Sequence, residues 1–327
     1  MRVLLIAALF ALATPALSQE TPCDRLAGYP ALPRIEGSAG AYRIADPAAA
    51  VAACEDARQQ APGDAFLAVL LARALLAADP QDPRAATLLT DAGQALPALA
   101  AGIMGSLYEN GLAGLPASDR SARDQYRAGC DAWPDRMAAP GCTGFAAMRI
   151  EGRGGPGEPQ AGFSLLDQQC RSGWPDACLR QAQLAELWGS APPEDTAALL
   201  RRACDAGQFL ACAQLGFRHQ TGDGVAQDMA VARDLYRLAC AHGEPVGCTN
   251  LAEAHRSGLG LPPDMDEALR LFDIGCDGQD SYACTTLGDI LAGGRGVPRD
   301  VARARVAYER GCALGDPMAC DGADLLP

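Results

Sequence analysis

The sequence predicts an all-α solenoid whose units are tied together by disulfide bonds. Three observations lead there. The 14 cysteines of the 327-residue chain fall on a near-regular grid. Between them, apolar residues recur at spacings of four and eight, one face of a helix. Glycine-rich turns recur at fixed places in each interval, where helices of a stacked array must reverse.

The elements follow in chain order. Residues 1–18 read as a signal peptide: one Arg, an uncharged apolar stretch, then Ala16-Leu17-Ser18 with small residues at −3 and −1 of a cut. Cleavage there makes Gln19 the mature N-terminus and places the protein in the periplasm or the medium. Residues 19–46 contain Pro and Gly and show no helical period, so an irregular arm is expected. Asp46-Pro47 then supplies an N-cap with Pro at the first helical position. Helices are expected over 47–61, 64–78, 83–95 and 97–110, separated by the turns APGD and ADPQDP. These turns resemble those of tetratricopeptide repeats, so 47–99 is read as a tetratricopeptide-like helical region. The run Ala92–Tyr108 is too short and too interrupted for a membrane span.

Beyond this region the cysteines act as a ruler. Five pairs share the spacing C-x7-C: 170/178, 204/212, 240/248, 276/284 and 312/320. Their turns read CRSGWPDAC, CDAGQFLAC, CAHGEPVGC, CDGQDSYAC and CALGDPMAC, four of them with Gly three residues after the first Cys. Such a Gly suits a helix C-terminus that turns through positive φ. Four residues before the first Cys stands a bulky side chain (Tyr126, Leu166, Leu200, Tyr236, Phe272, Tyr308), and eight before it mostly a small one. Small under large on one face is what close antiparallel helices need. The last three full units carry the loops TGDGVAQD, SGLGLPPD and GGRGVPRD, with Gly222, Gly224, Gly258, Gly260, Gly294 and Gly296. Asp228, Asp264 and Asp300 end these loops and are placed to cap the next helix. Each unit is thus helix, glycine loop, helix, tight turn. Units are expected at 100–140, 141–176, 177–210, 211–246, 247–282 and 283–318, with a truncated cap at 319–327.

Ala283, Leu287, Gly288, Gly294, Gly296, Val297, Asp300, Ala304 and Tyr308 match a pattern that resembles the Sel1-like repeats, relatives of the tetratricopeptide repeat. The paired cysteines further resemble the cysteine-rich Sel1 subgroup of secreted bacterial proteins. The resemblance implies a right-handed α/α solenoid and adaptor or assembly roles. It also implies an alternative, because some cysteine-rich members are described as penicillin-binding proteins or weak β-lactamases.

An even cysteine count in an exported chain favours disulfides over zinc, whose structural sites usually use tighter C-x2–4-C spacing. Two antiparallel helices joined by a tight turn bring facing cysteines within bridging distance. The expected pairs are Cys130–Cys142, Cys170–Cys178, Cys204–Cys212, Cys240–Cys248, Cys276–Cys284 and Cys312–Cys320, with Cys23–Cys54 assigned by elimination.

Chemistry is hard to place on this chain. It contains no Lys, which removes Schiff-base, P-loop and Ser-x-x-Lys mechanisms. Its three His, at 219, 242 and 255, form no His-x-His or HExxH motif. His219 and His255 share one repeat position and are read as packing or surface residues; His242 lies in a tight turn. The expectation is a monomeric binding scaffold without catalytic residues, cofactor or metal, holding a protein, peptide or peptidoglycan fragment on its curved face. A net charge of −13 argues against nucleic acid and anionic membrane surfaces.

Overall fold

The structure, a computed structural model, describes residues 20–28 and 44–326. The expected signal peptide, Gln19 and most of the arm lie outside them. Among the described residues there are seventeen α-helices, a single 3-10 turn and no strand. The chain is an all-α solenoid. Two of these helices, α1 and α17, lie beyond the helices and two-helix units expected from the sequence and sit at the two ends.

The first is in the arm, which is not irregular throughout. Helix α1 (Pro22–Ala27) opens on a proline, and Thr21 and Asp24 cap it reciprocally: the Asp24 carboxylate accepts from the Thr21 N–H at 2.8 Å. Six residues are too few for a helical period to show. At the other end, α17 (Pro317–Asp324) runs through the expected boundary at 319 and packs on α15 and α16.

Helices α2 (Pro47–Gln60), α3 (Ala65–Ala78) and α4 (Arg84–Ala92) build the N-terminal region. Asp46 and Asp64 accept from backbone N–H groups at the starts of α2 and α3. Paired helices then repeat: α5 (Pro97–Asn110) with α6 (Asp119–Cys130), α7 (Ala139–Glu151) with α8 (Pro159–Arg171), α9 (Pro175–Leu187) with α10 (Pro193–Asp205). Next come α11 (Phe209–Thr221) with α12 (Met229–Ala241), α13 (Pro245–Ser257) with α14 (Met265–Asp277), and α15 (Ser281–Gly293) with α16 (Val301–Ala313). The first helix of a pair is called A and the second B.

Within a pair, the bulky B-helix residue is buried in all six units. What it meets differs between tyrosine and the other residue types. Tyr126, Tyr236 and Tyr308 press on Gly105, Gly216 and Gly288 of their own A helix; a Cβ on any of these glycines would come within 2.4–2.7 Å of the ring. Where the B residue is Leu166, Leu200 or Phe272, the matching A position is Ala146, Ala182 or Ala252. Each tyrosine hydroxyl also finds an acceptor, Glu109 at 2.7 Å, Gln220 at 2.8 Å and Asp289 at 2.7 Å. Burial pushes all three phenols above their ordinary pKa, and Glu109 and Asp289 add to it for Tyr126 and Tyr308.

The glycine loops close each pair and dock it on its predecessor. Gly222, Gly258 and Gly294 adopt the left-handed conformation at the A-helix C-termini. Asp228, Asp264 and Asp300 then accept from the first N–H groups of the B helices, at 2.9–3.0 Å. Gly224 lies against the start of the preceding B helix so closely that a Cβ would sit 2.2 Å from the Pro193 carbonyl; at Gly260 a Cβ would sit 2.9 Å from the Met229 side chain, and at Gly296 it would be in ordinary contact with Met265.

Seven disulfides are formed, Cys23–Cys54, Cys130–Cys142, Cys170–Cys178, Cys204–Cys212, Cys240–Cys248, Cys276–Cys284 and Cys312–Cys320, with Cα separations of 4.4–4.7 Å. The last six each cross from a B helix to the next A helix, so they cover the seams between units and not the pairs themselves. A second rail runs beside them towards the C-terminus. The Thr249 hydroxyl donates to Asp280 at 2.6 Å, and Thr285 donates to Asp316 at 2.5 Å, each joining an A helix to the cap of the next. Successive A helices pack on one another at four steps (α5 on α7, α7 on α9, α11 on α13, α15 on α17), whereas among the B helices α14 on α16 is the one such pair among the described residues. The A helices therefore line the inner face.

Candidate interaction surface

Helices α3, α5, α7 and α9 share a groove of about 570 Å³ on this inner face. Its floor is apolar, with Phe66, Leu70, Leu99 and Ile103 from the first two helices. Gly102 lets the backbone at Gly141 approach, and Gly144 leaves room for the Tyr126 ring. Trp174 closes one end, 4% exposed. Its rim is charged and already organised. Arg73 donates to the carbonyls of Ala27 and Gly28, both at 2.7 Å, and so holds the end of α1. Glu109 accepts from Tyr126 and pairs with Arg153; Arg180 pairs with Glu151 at 3.0 Å. Asp176 accepts from Gln208 at 2.6 Å. A rim tied down in this way presents fixed polar groups around an apolar slot, the usual composition of a recognition groove.

The residues singled out in the sequence lie elsewhere. Gly222, Gly224, Gly258, Gly260, Gly294 and Gly296 stand at the loop edge, Tyr236, Phe272 and Tyr308 in the core, and the cysteines at the seam edge. None except Tyr126 reaches the groove. The groove residues escaped notice because they do not repeat: each of the four helices contributes different side chains.

His219 is 9% exposed; its Nδ1 lies 3.1 Å from the Ala226 carbonyl and its Nε2 3.4 Å from Arg201. His255, at the matching position, has a buried Nδ1 without a partner. His242 is exposed and stacks on Phe209, ring centroids 3.9 Å apart. Among the described residues, no three His, Cys, Asp or Glu gather as a metal site. No described helix is long and apolar enough to cross a membrane.

The Sel1 repeat family model matches residues 98–131, 210–244, 245–280 and 281–316, which are the pairs α5–α6, α11–α12, α13–α14 and α15–α16. The chain carries Sel1 repeats. Its seam disulfides fit the cysteine-rich subgroup of that family. The pairs α7–α8 and α9–α10, which the family model passes over, continue the same stack with helices of the same length. Among solved structures, the Sel1-repeat chain is similar to a Sel1 repeat protein from Oxalobacter formigenes, with a TM-score of 0.54 and 21% identity over 82% of this chain and 78% of that one. It is also similar to a protective antigen of uropathogenic Escherichia coli that displays an SLR fold, with a TM-score of 0.51 and 21% identity. That match covers 82% of this chain and 57% of the other, so the chain spans little more than half of that relative. At such identities the likeness concerns the fold alone. No curated protein sequence matches the chain.

Proposed function

We propose that this Sel1-repeat chain is an exported scaffold that holds a peptide or a segment of a partner protein in the inner groove. The observation that carries the reading is the groove's construction: an apolar floor from α3 and α5 within a rim of polar groups already bonded to one another. Repeat stacks present an extended inner surface of this kind, and affinity there comes from shape and apolar contact. Export is supported by seven disulfides, which persist in oxidising compartments.

A photocrosslinking residue at Ile103, in the groove, and another at the exposed Val231 on α12 test the reading in cells that export the chain. Discrete adducts are expected from Ile103 and not from Val231. Equal labelling from both positions would remove the groove from the proposal. Fractionation of the same cells is expected to place the chain outside the cytoplasm with Gln19 at its N-terminus.

A further inference from the structure

A second cavity, of about 720 Å³, opens on the outer side between α6 and the N-terminus of α8. Four arginines line it, Arg120, Arg123 and Arg127 on α6 and Arg149 on α7, against two acids, Asp124 and Glu158. In a chain of net charge −13, a cavity with this balance stands apart.

Two of the four arginines have structural work. Arg123, 8% exposed, donates to the carbonyls of Met148, Arg153 and Pro156 and so pins the next glycine loop. Its counterpart three units on, Arg233, donates to the carbonyl of Gly260 in the same way. Arg149 pairs with Glu158, which holds that carboxyl below the usual carboxylate range. Arg120 and Arg127 are different. Both are exposed, and neither has an ion-pair or hydrogen-bond partner among the described residues.

The repeat supplies an internal control. The positions equivalent to Arg120 in the other units are Gln160, Glu194, Ala230, Asp266 and Ala302, none of them basic. Folding a unit therefore does not require Arg there. At the position of Arg127, two other units also have Arg, but Arg201 contacts His219 and Arg237 pairs with Asp234. Only α6 carries Arg at both positions with nothing to hold.

We propose that this outer cavity binds a short acidic peptide segment, two of whose carboxylates pair with Arg120 and Arg127. Seven residues along a helix separate the two Cα atoms by roughly 10 Å; a peptide in the polyproline-II conformation, with three residues per turn and a rise of about 3.1 Å, places residues i and i+3 on one face about 9 Å apart, so a Glu-x-x-Glu spacing fits. The planar guanidinium takes a carboxylate through two parallel N–H donors. The chain's overall negative charge repels long polyanions, whereas a ligand with two or three charges feels mainly the local field. The site rests on the scaffold reading only in that its occupant belongs to a partner protein, and it is separate from the inner groove.

Fluorescence anisotropy with a labelled Glu-Ala-Ala-Glu peptide tests the proposal on the oxidised full chain. Binding is expected at low ionic strength, weakening with added salt, and a Gln-Ala-Ala-Gln peptide is expected to bind at least tenfold more weakly. The double variant Arg120→Gln, Arg127→Gln should lose at least tenfold in affinity, while Arg237→Gln stays within twofold. Both residues are exposed, so unchanged circular dichroism should accompany the loss. Equal binding of the two peptides, or undiminished binding by the double variant, would overturn the site. So would a labelled oligothymidylate that binds tighter than the acidic peptide and is lost in the same variant. If adducts from Ile103 fail to appear while the acidic peptide still binds, the groove is wrong and this site stands.

Discussion

At Gln279 the repeat makes its tight turn without glycine. Four equivalent turns use Gly173, Gly207, Gly243 and Gly315, with φ between +79° and +90°; Gln279 adopts φ +67° at the fifth. Left-handed backbone costs an L residue roughly 1–2 kcal/mol, and glycine's greater freedom in the unfolded chain takes back about 0.5–1 kcal/mol. Gln279→Gly is therefore expected to stabilise the oxidised protein by about 0.5 kcal/mol. The urea midpoint should rise with its slope unchanged; a fall would mean that the glutamine side chain has a role. The Gly–Tyr pairs offer a second residue-scale test. A methyl at Gly288 would sit 2.5 Å from the Tyr308 ring, so Gly288→Ala should cost about 1–3 kcal/mol. Adding Tyr308→Leu should recover part of that loss, since units with Leu166 and Leu200 already carry Ala. A double-mutant cycle with no coupling would show that the Gly288 position and the Tyr308 ring do not constrain each other. The histidines are expected to do no hydrolysis: nitrocefin turnover should be at background for the wild type and for the His219→Ala, His242→Ala, His255→Ala variant alike.

At the scale of the element, legibility tracked repetition. The cysteine ruler, the aspartates before α12, α14 and α16, and the buried B-helix residues could all be placed because the same physical requirement returns every unit. Asp228 must satisfy the free N–H groups of α12 just as Asp264 must for α14. Helix α1 was hidden because it occurs once: its reciprocal cap of Thr21 and Asp24 has no counterpart in the repeating units. The groove was hidden for the opposite reason. Phe66, Leu99, Ile103 and Trp174 lie on α3, α5 and the turn before α9, and only stacking brings them together. In a repeat protein, the residues that fold it are those that recur, and the residues that recognise are among those that do not. Arg120 illustrates this: it is visible as a departure only once the other units are aligned beneath it.

At the scale of the whole molecule, the two larger apolar clusters of the described residues, one from α1 to α12 and one from α12 to α17, meet on a single helix, and the disulfides carry the stack across that junction as across every other. Closing a loop of eight residues removes about 2.5 kcal/mol of unfolded-state entropy per bond in the chain-entropy model. Non-reducing peptide mapping should recover the seven neighbour pairs, and links between distant units would refute the pairing. The position of these bonds has a mechanical consequence. A pull on the two ends passes through each disulfide and bypasses the tight turn behind it, so a unit that gives way can lengthen only between its own cysteines. From Cys248 to Cys276 that is about 28 residues, against the full repeat of about 36 between Cys240 and Cys276. At roughly 3.5 Å per residue, stretched single molecules should extend in steps near 100 Å when oxidised and near 125 Å when reduced. The protein would then behave as a chain of tethered springs, each with a stop set by its own sulfur bridges.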